Sequence, residues 1–231
     1  MATLVELRGV SREFRGELVI DDLSLTLGPS GVTALVAPNA AGKTTLMSMI
    51  SGLMSPTGGS VAYTDGDSPK DVALLLAGDK NLYMKNTVRE NVLYFAALNG
   101  HGREEVRNGL PGVYEWFPEL GSLWNDVAET LSYGQRRLVA LASAVMAQNR
   151  YLLVDEAAEG LDVAHARRLA DALRKMSEGL GVIVSSHDLR FVSEVADVVL
   201  FLRGGSVIRE DNPSEPALRG RYGELFGGAS Q

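Results

Sequence analysis

Hydrophobic and polar positions along the first sixty residues fall into short stretches. Residues 4–10, 23–27 and 32–36 are apolar or alternating, and Gly9, Gly16, Gly28, Pro29 and Gly31 punctuate them. That pattern predicts strands separated by turns. A helical spacing begins after Gly42 and runs to about Ile50. Gly52 and the Pro-Thr-Gly-Gly segment at 56–59 end it and return the chain to a strand at 60–63. The unbroken apolar run 72–77 fits a strand buried on both faces.

From Val88 to about Ala147 the period changes. Leu93, Phe95, Ala96 and Leu98, then Leu138, Leu141, Ala142 and Val145, recur at helical spacing, with a looser segment between them holding Pro111, Trp116, Pro118 and Trp124. This stretch reads as a mostly helical subdomain, 88–147, inserted into an α/β core made of 1–87 and 148–212, and its aromatics read as packing. Strand and helix alternate again afterwards: strand 151–155, helix 164–178, strand 182–185, helix 189–195 and strand 198–202. Gly204 and Gly205 then turn the chain into a final strand, 206–210. Such alternation predicts an α/β fold with a mainly parallel sheet and an antiparallel β portion at the amino-terminal end. The segment 213–231, whose last fifteen residues are rich in Gly and Arg, reads as a short, partly ordered tail.

Composition narrows the function. Twenty-two Lys+Arg against 29 Asp+Glu leave a net charge of −7 over 231 residues, the wrong sign for a protein that coats nucleic acid. With no cysteine there is no disulfide, thiolate zinc site or cysteine nucleophile. The longest apolar run, 138–147, is ten residues and contains Ser143, about half of what a membrane span needs. The first residues lack the charged and apolar regions of a secretory signal, so the expected location is the cytoplasm.

Three segments carry chemistry. Ala37-Pro38-Asn39-Ala40-Ala41-Gly42-Lys43-Thr44-Thr45 lies between a strand and a helix and is close to the phosphate-binding loop G-x-x-x-x-G-K-[ST]. Free N–H groups at the helix start would face phosphates, Lys43 would meet the β- and γ-phosphates, the Thr44 hydroxyl would hold Mg2+ and Thr45 would lie on the α-phosphate side. Ala37 stands where the first Gly is expected, and Ala40 adds a methyl to a loop that must approach phosphate closely. Next, the apolar strand Tyr151-Leu152-Leu153-Val154 ends in Asp155 and Glu156. Asp155 there can hold Mg2+ through water, and Glu156 can polarise an attacking water. Third, Leu131-Ser132-Tyr133-Gly134-Gln135 opens a helix, with Ser132 fitting its N-cap.

LSYGQ resembles the signature motif LSGGQ of ATP-binding cassette (ABC) proteins, which lies between the phosphate loop and the Asp-Glu strand as it does here. Gly160-Leu161-Asp162 is similar to the family's D-loop and Ser185-Ser186-His187 to its switch-histidine loop. The resemblance covers residues 4 to about 210 and implies a P-loop NTPase core that binds ATP with Mg2+ and hydrolyses it. It implies that Phe14 stacks on adenine, that 37–45 cradle the triphosphate, that Glu156 is the general base and that His187 holds the γ-phosphate. It implies further that Ser132, Gly134 and Gln135 serve the nucleotide of a second cassette docked head to tail, with Asp162 near the dimer seam. Where the family has its Q-loop glutamine this chain has Gly78, and Asp79 is the nearest polar substitute for that contact to Mg2+; Ala157 replaces the usual Pro after Asp-Glu.

The resemblance implies the ATPase subunit of an ABC transporter held at the cytoplasmic face of the membrane by separate integral membrane permease subunits. The wording of 81–91 looks more like the cassettes of exporters than those of nutrient importers. Two alternatives are a soluble ABC ATPase outside transport and a degenerate regulatory cassette with weak turnover. The acidic charge and the lack of a second cassette or coiled coil oppose the first. Retention of Lys43, Asp155, Glu156 and His187 opposes the second.

Overall fold

The computed structural model describes residues 5–63, 68–78, 81–147, 149–211 and 214–227. Two sheets share one apolar layer. The smaller is antiparallel, in the order β2-β1-β4: β1 (Val5–Phe14) turns at Arg15–Gly16 into β2 (Glu17–Leu27), and β4 (Gly58–Tyr63) pairs with the other edge of β1. The larger has six strands in the order β5-β6-β7-β3-β8-β9: β3 (Val32–Val36), β5 (Val72–Leu75), β6 (Tyr151–Val154), β7 (Gly181–Ser185), β8 (Val198–Arg203) and β9 (Ser206–Asp211). All its neighbours are parallel except the hairpin β8–β9.

Alternation along the buried strands divides the core. Leu35, Leu153, Ile183 and Leu200 face α1 (Lys43–Ile50) and the small sheet, where Val5, Leu7, Val10, Leu46 and Ile50 meet them. Ala34, Val36, Leu152, Val154, Val184 and Phe201 face the other way. There they join α5 (Tyr133–Met146), α6 (Val163–Met176) and α7 (Leu189–Val195). The same cluster runs on into α2 (Val88–Leu98), α3 (Arg103–Trp116) and the short α4 (Leu120–Leu123), through Val92, Val106, Val113 and Leu120. Each of these strand side chains is buried because the sheet is covered on both sides.

Three sequence expectations change. The run 72–77 forms only β5, which is the edge of the large sheet, and two of its four residues, Val72 and Leu75, are buried. The looser segment around Pro111 is largely the helix α3. Gly109 permits that helix to lie close on α5, since a Cβ there would sit 2.8 Å from Met146 Cε. In place of a partly ordered tail the chain forms α8 (Glu215–Phe226). Ser214 caps that helix, Leu218 and Leu225 seven residues apart are buried, and the Phe226 ring lies 6.5 Å from that of Phe201. Two turns of apolar spacing thus outweigh the Gly and Arg content.

Candidate functional site

The register of the large sheet assembles the site. Leu35 of β3 pairs with Ser185 of β7, and Val184 with Val154 of β6. The carboxyl ends of three neighbouring strands therefore lie together, where ligands of open α/β sheets bind. From these ends emerge the loop 37–42, the pair Asp155–Glu156 and the segment Ser185-Ser186-His187.

The loop is held by two left-handed residues, Ala40 at φ 63° and Gly42 at φ 97°. Gly42 is the N-cap of α1, and a Cβ on it would lie 2.9 Å from Val19 Cγ1, so both backbone and space require glycine. Ala37 is fully buried and belongs to the apolar cluster beneath the loop, so its methyl packs into the core. Ala37→Gly should cost about 1 kcal/mol of stability, from one buried methyl and added backbone freedom. Denaturant titration would show a lower midpoint at unchanged slope, and an unchanged midpoint would contradict this packing.

Lys43, only 6% exposed, folds back over the loop. Its Nζ donates to the carbonyls of Ala37 (2.9 Å) and Pro38 (3.2 Å) and lies 3.3 Å from Glu156 Oε1. His187 Nδ1 is 3.1 Å from the other oxygen, Glu156 Oε2. Thr44 Oγ1 donates to Asp155 Oδ2 at 2.6 Å, and Ser185 Oγ donates to Asp155 Oδ1 at 2.6 Å while accepting the N–H of Glu156 at 2.8 Å. Lys43, Thr44, Asp155, Glu156 and His187 thus form one cluster. Chemically it offers a cation and helix-start N–H groups for phosphate, hard oxygen atoms for a divalent cation, and a carboxylate flanked by Lys and His.

Ser185 was missing from the roles expected from sequence. Beyond its place in the Ser185-Ser186-His187 segment, it shows in sequence only as a small polar residue ending an apolar strand. Arg137 was missed too: it donates to the carbonyls of Leu76, Asp155 and Glu156. Asn81 pins the end of β5, accepting from Leu76 N–H (2.9 Å) and donating to Leu76 O (2.7 Å).

In the signature-like segment Ser132 and Gln135 form a reciprocal cap at the start of α5, Ser132 Oγ accepting from Gln135 N–H and Gln135 Oε1 from Ser132 N–H. A Cβ on Gly134 would meet Leu161 and His165 at 3.5–3.6 Å. Asp162 caps α6, accepting from the N–H of His165 (2.8 Å) and facing its Nδ1 (2.9 Å); that backbone N–H holds its carboxyl below the usual carboxylate range. Phe14 is partly exposed at the tip of β1, under the Arg12 guanidinium at 4.6 Å. Beside the loop, Glu17, Leu18, Val19, Pro38, Ala40, Ala41 and the end of α8 line a cleft of about 510 Å³; Phe14 is not one of its lining residues. Asp79 falls outside the described residues. Gly78 is exposed at φ 80°, with open space where a Cβ would stand.

Residues 20–159 match the family described as ABC transporter. The Nod factor export ATP-binding protein I of Rhizobium leguminosarum bv. viciae is 31% identical over 238 aligned residues, covering 98% of this chain and 76% of that protein. The SkfA peptide export ATP-binding protein SkfE of Bacillus subtilis (strain 168) is 29% identical, over 90% of this chain and 88% of that protein. The petrobactin import ATP-binding protein YclP of the same strain is 26% identical, over 92% and 88%. Among solved structures, a nucleotide-free ATP-binding cassette from an ABC transporter has the same fold, with a TM-score of 0.83 at 18% identity over 99% of both chains.

Proposed function

The chain belongs to the ABC transporter family as an ATP-binding, ATP-hydrolysing subunit, and on that premise we propose that it drives an export-type transporter as one of two paired cassettes at the cytoplasmic face of a membrane. The observation that carries this reading is the convergence of Lys43, Thr44, Asp155, Glu156 and His187 at one edge of the sheet. Among the described residues no helix is long and apolar enough to cross a membrane, so the translocation path is assigned to separate integral membrane permease subunits. Export is favoured by the relatives that export Nod factor and SkfA peptide.

Residues 37–45 take the triphosphate, with the free N–H groups of the first turn of α1 facing its oxygens. Lys43 has three donors, and Ala37 O, Pro38 O and Glu156 Oε1 stand at all three. Phosphate oxygens compete for them, and exchanging the Glu156 contact for phosphate frees that carboxylate. Glu156 then accepts a proton from the attacking water, and His187 orients the γ-phosphate beside it.

The residues present fit Mg2+. Thr44 Oγ1 and Asp155 Oδ2 are adjacent hard oxygens, and Mg2+ takes only one or two protein ligands beside phosphates and waters. A group of three or more acidic or His ligands, absent among the described residues, is therefore not required. Bound there, Mg2+ would neutralise phosphate charge. Phe14 stacks on adenine from the tip of β1. Ser132, Gly134 and Gln135 present their helix start to the partner cassette's nucleotide, and Asp162 lies near the seam.

Extraction of the membrane with detergent tests the assignment. A multi-span integral membrane protein is expected to co-purify with the chain and to raise its ATP turnover. Recovery on ribosomes or DNA instead would overturn it.

A further inference from the structure

Arg137 lies on the core-facing stripe of α5, four residues before Leu141, and is 3% exposed. Burying a guanidinium is costly unless its donors are met, and no ion pair meets this one among the described residues. Three carbonyls do instead. Nη1 donates to Leu76 O at 3.0 Å, and Nη2 donates to Asp155 O at 2.5 Å and Glu156 O at 3.1 Å. Burial pulls the proton affinity of this guanidinium down, partly countered by Tyr133, Asp155, Glu159 and Glu156. Its Nε has no hydrogen-bond partner among the described residues, and the residue lines a void of about 10 Å³ with Gly78, Asn81 and Tyr133.

The carbonyl it grips belongs to a strained residue. Glu156 sits at φ 45°, a conformation that a non-glycine residue keeps only when its surroundings hold it. Ser185 Oγ holds the N–H of Glu156 from one side, while Arg137 and the N–H of Glu159 hold its carbonyl from the other. Leu76 is itself fixed by Asn81. One guanidinium therefore joins three segments: the helix that opens with Ser132, the strand end carrying Glu156, and the loop at Gly78, which has no side chain of its own.

We propose that Arg137 is a positioning residue for ATP hydrolysis, fixing the Glu156 peptide so that its carboxylate faces the phosphate site and tying that placement to α5 and the Gly78 loop. This rests on the assignment of Glu156 as the base. Without the clamp, Glu156 relaxes toward the right-handed region and its carboxylate turns away, while the phosphate loop, held by its own contacts, still binds nucleotide.

The test uses the full chain with MgATP, reading kcat, KM, equilibrium ATP affinity and the thermal midpoint for Arg137→Met, Arg137→Lys and Glu156→Gln. Arg137→Met keeps the packing and should lose about 100-fold in kcat, as small misplacements of reacting groups do, with KM and affinity unchanged. Arg137→Lys keeps the charge and can hold one carbonyl, so it should recover about a tenth of wild-type kcat. Wild-type kcat in either folded variant would overturn the proposal, and so would KM and affinity worsening in step with kcat. If Arg137→Met does not fold, Arg137→Lys is judged by the same criteria. Loss of turnover in Glu156→Gln alone defeats only the positioning role, whereas turnover retained in Glu156→Gln defeats the base assignment beneath it.

Discussion

Glu156→Gln is expected to lower kcat by about 10²–10⁴, the usual worth of a positioned general base. The substitution preserves shape, and the amide can still meet Lys43 and His187, which lie 3.3 and 3.1 Å from the two carboxylate oxygens. ATP therefore stays bound but is not cleaved. Because each ATP is proposed to bridge two cassettes, the uncleaved nucleotide should hold them together, and size-exclusion chromatography with MgATP should show a dimer. A monomer that continues to hydrolyse ATP would sink both the base and the bridging role.

Lys43→Met should act earlier, on binding. Hydrogen bonds to charged groups contribute about 1.5–3 kcal/mol each, so losing two to phosphate removes roughly 3–6 kcal/mol. At 1.4 kcal/mol per tenfold, the ATP dissociation constant should rise by about 10²–10⁴. The same change leaves the carbonyls of Ala37 and Pro38, which now accept from Nζ, without that donor. A lower thermal midpoint should accompany the weaker binding. Calorimetric titration decides the matter: affinity equal to that of the unchanged chain would mean that Lys43 serves only to brace its own loop.

The parts of the site that were legible in sequence are those whose chemistry is contiguous. The loop 37–45 and the pair Asp155–Glu156 each sit on a single strand exit, and the strand-helix alternation places those exits on one edge. The contacts of Arg137 and Ser185 were illegible for the opposite reason. Their partners lie 61 and 30 positions away for Leu76 and Asp155, and an Arg in an amphipathic helix reads as a solvated residue until its burial is seen. Helix α8 was read as tail because the last fifteen residues are rich in Gly and Arg, although Leu218 and Leu225 already had the spacing of a buried face. Ser132 carries two readings at once: within one chain it is a helix cap, and only a second cassette would give it a ligand.

The short edge strand β5 has a consequence for the behaviour of the chain in concentrated solution. An exposed strand edge offers a row of free peptide groups on which another molecule can pair, the first step of edge-to-edge aggregation. Here the strand is four residues long, and the peptide groups of the next residue, Leu76, are both occupied by the Asn81 amide. That side chain imitates one residue of a neighbouring strand and stops the ladder there. Asn81→Ala is therefore expected to increase edge-to-edge association of the chain in concentrated solution, which light scattering would show.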